Sequence, residues 1–137
     1  MYENLKNRFR EEFGEEPAFL FSAPGRTELC GNHTDHQGGV VLAAAINLET
    51  VAAVRPREDG MVRLLSEGYP MCELSLEALE PQEAERGSTK ALIRGVASGF
   101  AAHGVQPVGF DACVCSSVLT GSGLSSSAAF EVLLGTV

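Results

Sequence analysis

Two stretches of the chain carry residue types that could do chemistry. Arg26 and the run Gly31-Asn32-His33-Thr34-Asp35-His36 bring a guanidinium, an amide, a carboxylate and two imidazoles close together in sequence. A carboxylate accepts hydrogen bonds from vicinal hydroxyls and an amide both donates and accepts, so such a set can read the orientation of the hydroxyls on a polyol. The same composition also describes a solvated surface turn. The second stretch is Gly121-Ser122-Gly123-Leu124-Ser125-Ser126-Ser127. Its glycines open backbone conformations closed to other residues, and its hydroxyls can donate to phosphate oxygens or reach a divalent ion. No Gly-Lys-Ser/Thr follows it, and Ser126 stands where a third glycine would be required, so it is neither a Walker A loop nor a dinucleotide fingerprint. A Gly/Ser loop is either a flexible turn or a ligand cradle; what speaks for the cradle is its setting between a strand pattern and a helix pattern, where amides and the positive helix end hold anions.

The elements that must position these stretches follow from periodicity. Tyr2, Leu5, Phe9 and Phe13 recur at helical spacing and stop at Gly14. Phe19–Phe21 predicts a short strand broken by Pro24-Gly25, followed by a polar loop from Arg26 to Gln37 that ends at Gly38-Gly39. After the small apolar stretch Val40–Ile46, Thr50–Val54 and Met61–Leu65 predict strands separated by Pro56 and Gly60. The charged stretch Glu77–Gly87, with Pro81, predicts an exposed connection. Ser88 can cap a helix with Leu92, Val96 and Phe100 on its core face and Gly104 at its end. Phe110 to Ser116 alternates with period two, as a strand does, and the segment from Ala128 to Val137 reads as an apolar helix behind the Gly/Ser loop. Helices and strands in this order predict a mixed α/β domain.

Composition bounds the function. The 137 residues suit one domain with one modest core, and 45% are apolar and 20% charged, as in a folded globular protein. A net charge of −8 argues against nucleic-acid partners, whose phosphates demand clustered Lys and Arg. Cys30, Cys72, Cys113 and Cys115 lack C-x-x-C spacing and a histidine at finger spacing, which predicts reduced thiols rather than a zinc site. Residues 1–10 contain no signal-peptide core and no apolar run is long enough to span a bilayer, so a cytoplasmic protein with no membrane partner is expected. Asp59 and Asp111 match no motif and read as surface carboxylates.

Ala23-Pro24-Gly25-Arg26, Gly31-Asn32-His33-Thr34-Asp35 and Gly121–Ala128, in this order and at this separation, resemble the first two signature motifs of the GHMP kinase superfamily, the first being similar to the galactokinase signature. The second matches the pattern G-x-G-L-S-S-S-A throughout. The first departs from A-P-G-R-x-N-L-I-G-E-H-T-D-Y: Thr27-Glu28 replaces Val-Asn, Asn32 the glutamate and His36 the tyrosine. Ala43 and Leu119 stand where prolines are common. The resemblance implies an α/β (α+β) fold, the N-terminal GHMP-kinase domain of the ribosomal protein S5 domain 2-like type, spanning residues 1–137 and lacking the C-terminal GHMP domain. It implies ATP-dependent phosphorylation of galactose at the anomeric hydroxyl, with ATP and Mg2+ as cofactors and a small sugar as partner. Arg26 would stabilise the transferring phosphoryl group. Asn32, His33, Thr34 and Asp35 would hold the sugar. Ser66 and Gly121, Ser122, Gly123, Leu124, Ser125, Ser126 and Ser127 would bind the nucleotide, with Ser127 on the metal. The family's catalytic aspartate and a further acidic metal ligand would lie beyond residue 137, so the chain by itself is expected to be inactive. Asn32 leaves open a related sugar such as N-acetylgalactosamine or arabinose, and a non-catalytic sugar and ATP sensor is the alternative of another class.

Overall fold

The computed structural model describes residues 1–31, 37–119, 121 and 123–137. Helix α1 spans Tyr2–Phe13 and stops where the glycine predicts: Gly14 adopts φ 74° and its amide donates to the Arg10 carbonyl at 2.8 Å. Five strands follow, β1 (Phe19–Cys30), β2 (Leu42–Arg57), β3 (Met61–Ser66), β4 (Cys72–Ser75) and β5 (Gly109–Ser116), with α2 (Thr89–Ala102) before β5 and α3 (Ser126–Thr136) after it. They form one sheet in the order β1-β2-β5-β3-β4, in which β3 and β5 are parallel and every other pair is antiparallel.

The predicted break at Pro24-Gly25 does not occur. β1 continues to Cys30, and the irregularity is absorbed as a register shift between Pro24 and Arg26. An edge strand tolerates proline because only one of its sides is paired. Arg26–Cys30 therefore lie on a strand and not in a loop. Thr50–Val54 likewise extends into the long β2, because its first part pairs with β1 and its second with β5. Gly109 opens β5 where the chain entering β3 crosses it: a Cβ there would stand 2.5 Å from the Met61 carbonyl oxygen and 2.8 Å from its amide nitrogen. Such a crossing admits only glycine.

Side chains alternate along β2 and β5 so that both faces of the sheet are covered. Ala52, Val54, Ala112 and Val114 pack with Val62, Leu64 and the helical residues Ile93, Leu133 and Leu134. Val51, Ala53 and Cys113 pack on the other face with Leu5 and Phe9 of α1. In α2 the buried positions are Ile93, Arg94 and Ala97, whereas Phe100, expected in the core, is 39% exposed. Leu92 lines the groove beside α3, while Val96 packs against the core as expected and, with Phe100, lines an apolar cleft at the opposite end. Among the described residues no helix is long and apolar enough to cross a membrane.

Asp111 corrects the sequence reading most sharply. It is fully buried, on the α1 side of β5, and accepts from three arginines: Arg55 Nη2 at 2.7 Å, Arg57 Nη1 at 3.0 Å and Arg63 Nε at 2.7 Å. Arg55 also pairs with Glu15 and Arg57 with Asp59, so the cluster is balanced in charge, and the Arg63 guanidinium stacks 5.1 Å from the Phe13 ring. Burial pushes the Asp111 carboxyl up, but the hydrogen bonds and charges of the arginines outweigh it and hold the pKa below the usual carboxylate range. Replacing Asp111 by Asn leaves the arginines uncompensated and lowers the unfolding free energy by roughly 2–4 kcal/mol at pH 7, measured by urea denaturation. Because the folded-state pKa is depressed, the contribution is complete above the unfolded pKa and is lost as pH falls through the folded one. The gap between parent and variant therefore narrows below about pH 4.

Candidate functional site

The carboxyl ends of the parallel strands β3 and β5, at Ser66 and Ser116, face the same end of the sheet, where open α/β sheets bind ligands. The end of β5 is tied to β2 by serines. Thr50 and Ser116 hydroxyls lie 2.7 Å apart, and Ser117 Oγ accepts from the Glu49 amide at 2.9 Å and donates to the Glu49 carbonyl at 3.1 Å. Val118 N donates to Ser116 Oγ at 3.1 Å as the chain leaves the strand. Beyond it the chain turns through Gly121 and Gly123, both at φ 76°, and through Ser125, which takes φ 59° without being a glycine. Ser125 is the N-cap of α3 but makes no side-chain capping bond. The first-turn amides of α3, beginning at Ser126 and Ser127, have no partner within the helix, and the positive end of the helix stands behind them. At α2 the N-terminus is closed instead: Ser88 Oγ accepts from the Ala91 amide at 3.4 Å.

These ends enclose a groove of about 520 Å³, the size of a small-molecule site. Ser126 and Ser127 form one wall, Gly87, Ser88 and Thr89 another, and Ser66, Thr50 and Ser116 the floor. Ser66, expected from the family resemblance to contact the nucleotide, lines the same groove as the α3 serines. Thr50 and Ser116 escaped the sequence reading: they are far apart in the chain, and nothing short of the β2–β5 register brings their hydroxyls together. Among the described residues no cluster of His, Cys, Asp and Glu could hold a metal ion.

The first motif is joined through the backbone to the segment that leads into α3. The Arg26 amide donates to the Leu124 carbonyl at 3.1 Å. Gly25 makes the approach possible, because a Cβ there would lie 3.1 Å from the Leu124 oxygen, from Val118 Cγ2 and from Ile46 Cδ1. The Arg26 side chain is exposed and makes no ion pair with a described residue. Gly31 ends β1 at φ 88°, and a Cβ there would collide with the Val40 carbonyl. Asn32, His33, Thr34 and Asp35, and Ser122 in the second motif, lie outside the described residues.

Residues 7–56 match the family model described as the galactokinase galactose-binding signature, a span that holds Arg26 and Asn32–Asp35. A human galactokinase is 43% identical over 139 residues, covering 93% of this chain and 33% of that protein. The chain belongs to the galactokinase family. It spans about a third of the length of the curated relatives it matches. The crystal structure of Lactococcus lactis galactokinase complexed with galactose superimposes with a TM-score of 0.86 at 34% identity, over 98% of this chain and 35% of that one. A mevalonate kinase from Methanococcus jannaschii shares the fold alone, with a TM-score of 0.67 at 17% identity over 85% of this chain and 38% of that one. The mixed α/β architecture is therefore the one that galactokinases share with other GHMP kinases.

The Gly25 contact makes a prediction for this member of the galactokinase family. Gly25→Ala forces β1 away from the Leu124 carbonyl and costs roughly 1–3 kcal/mol, because one of the three neighbours is backbone and cannot rotate aside. Thermal unfolding checks the loss. Hydrogen exchange at the Arg26 amide should rise with it, while the Asp111 cluster on the other face keeps its protection.

Proposed function

We propose that this chain forms the sugar- and nucleotide-binding portion of a kinase that phosphorylates galactose at its anomeric hydroxyl, with ATP as donor and galactose 1-phosphate as product. The observation that carries the reading is the Arg26–Leu124 hydrogen bond, which holds the strand leading to the sugar motif against the loop leading into α3. Donor and acceptor sites must lie side by side for a phosphoryl group to pass between them, and phosphoryl transfer is chiefly a matter of positioning and charge neutralisation.

In this reading the residues from Gly121 to Ser127 wrap the phosphates. The first-turn amides of α3 and the hydroxyls of Ser126 and Ser127 donate to phosphate oxygens, and Ser66 contacts the nucleotide across the groove. The positive φ at Gly121, Gly123 and Ser125 turns the chain around an anion, as a cradle requires. Ser127 would offer magnesium one hard oxygen ligand, and by itself it is not a metal site. Arg26, exposed and unpaired among the described residues, stabilises charge on the transferring group. Asn32, His33, Thr34 and Asp35 hold the sugar hydroxyls. No residue of this chain is assigned as the base. The reading places the base, a further acidic metal ligand and a second domain in the part of the relatives that this chain does not span.

Galactose-dependent ADP release by the longest native product carrying these residues tests the proposal. Turnover with galactose supports it. Binding of galactose and ATP without ADP release would instead support a sugar and nucleotide sensor, and turnover only with N-acetylgalactosamine or arabinose would overturn galactose as substrate. In an active product Arg26→Ala should lower kcat by about a thousandfold while changing galactose affinity less than about threefold. Equal losses in both would reassign Arg26 to substrate positioning.

A further inference from the structure

The wall of the groove built by Gly87, Ser88 and Thr89 rests on an unusual foundation. From residue 77 to residue 87 no apolar side chain is buried, and the segment's regular structure is a single 3-10 turn, Glu83–Glu85. Hydrophobic packing does not fix it. It is fixed instead by Arg94, which reaches back from α2. Arg94 Nε donates to Glu85 Oε2 and Nη2 to Glu85 Oε1, each at 2.8 Å. Its Nη1 donates to the Ala78 carbonyl and stands 3.5 Å from that of Ser75. The Arg94 side chain is 7% exposed and that of Glu85 12%, so this two-pronged pair is among the best shielded in the protein.

A buried guanidinium is costly, and packing a helix of this length needs no charge at its centre. What the pair does achieve is local. Glu85 also accepts, through its backbone carbonyl, from the Ser88 amide at 2.9 Å, so the residue gripped by Arg94 sets where the helix cap begins. Ser88 and Thr89, the next residues on, face Ser126 and Ser127 across the groove. The opposing wall needs no such device: Ala129 and Leu133 anchor α3 in the core, and the Arg26 amide holds Leu124.

We propose that Glu85 and Arg94 are a positioning pair for the nucleotide, fixing the α2 wall and thereby the width of the groove without touching the ligand. This rests on the reading that the groove binds ATP. The test is calorimetric binding of ATP and of galactose, separately, to the longest native product carrying these residues, as parent, Glu85→Ala and Arg94→Met. ATP should bind about five- to tenfold more weakly to each variant while galactose affinity stays within about twofold of the parent. A merely structural clamp would weaken both ligands together or neither. ATP affinity within twofold of the parent, or equal loss for both ligands, overturns the inference and leaves the proposed function standing. A parent that does not bind ATP overturns both. Should either variant fail to fold, Glu85→Gln keeps the shape of the side chain, gives up its charge and carries the same expectation.

Discussion

A 3.1 Å hydrogen bond from the Arg26 amide to the Leu124 carbonyl joins the two stretches of this chain that could do chemistry. It can form only where the backbone comes close, and Gly25 is what lets it come close: three neighbours occupy the space a methyl group would need. β1 is also an edge strand of the sheet. A strand paired on one side only can absorb Pro24 and a register shift, and so can bend toward the loop before α3 without breaking the ladder to β2. The two motifs are set side by side by backbone geometry, before any side chain is considered.

Around that contact the sheet separates two kinds of work. On the α1 face, Asp111 gathers Arg55, Arg57 and Arg63 into a balanced cluster that fixes the ends of β2, β3 and β5 to one another. On the other face, Glu85 and Arg94 tie a segment with no buried apolar side chain to the start of α2. Both are shielded ion pairs, which add little net stability compared with apolar packing but penalise every arrangement that separates the partners. A chain with a net charge of −8 and a modest core thus uses its few arginines chiefly to fix geometry.

The two helix N-termini at the groove differ in a way that matches their surroundings. α2 satisfies an amide of its first turn with its own Ser88, whereas Ser125 gives α3 no such bond and sits at a positive φ. A serine in that conformation costs free energy that a glycine would not. The dipole of an apolar helix, anchored in the core by Ala129 and Leu133, stands behind its first-turn amides.

Much of this was legible in the sequence. The helical stripe ending at Gly14, the cap at Ser88, the strand leading to Ser116 and the Gly/Ser loop before an apolar helix all follow from periodicity and from residues with strong local preferences, and the two motifs identified the family. Local signals could not show that β1 runs on past Pro24, because what holds Arg26–Cys30 extended is pairing with Leu42–Ala45 across the ladder. Nor could they bury Asp111, whose three arginines converge only through the register of β2, β3 and β5, or bring Thr50 to Ser116, or aim Arg94 at Glu85 instead of into solvent. A charged residue's environment is set by which strands and helices become neighbours, and that is decided by burying both faces of the sheet at once. The chain alone determined which residues could do chemistry; the tertiary structure decided which of them meet.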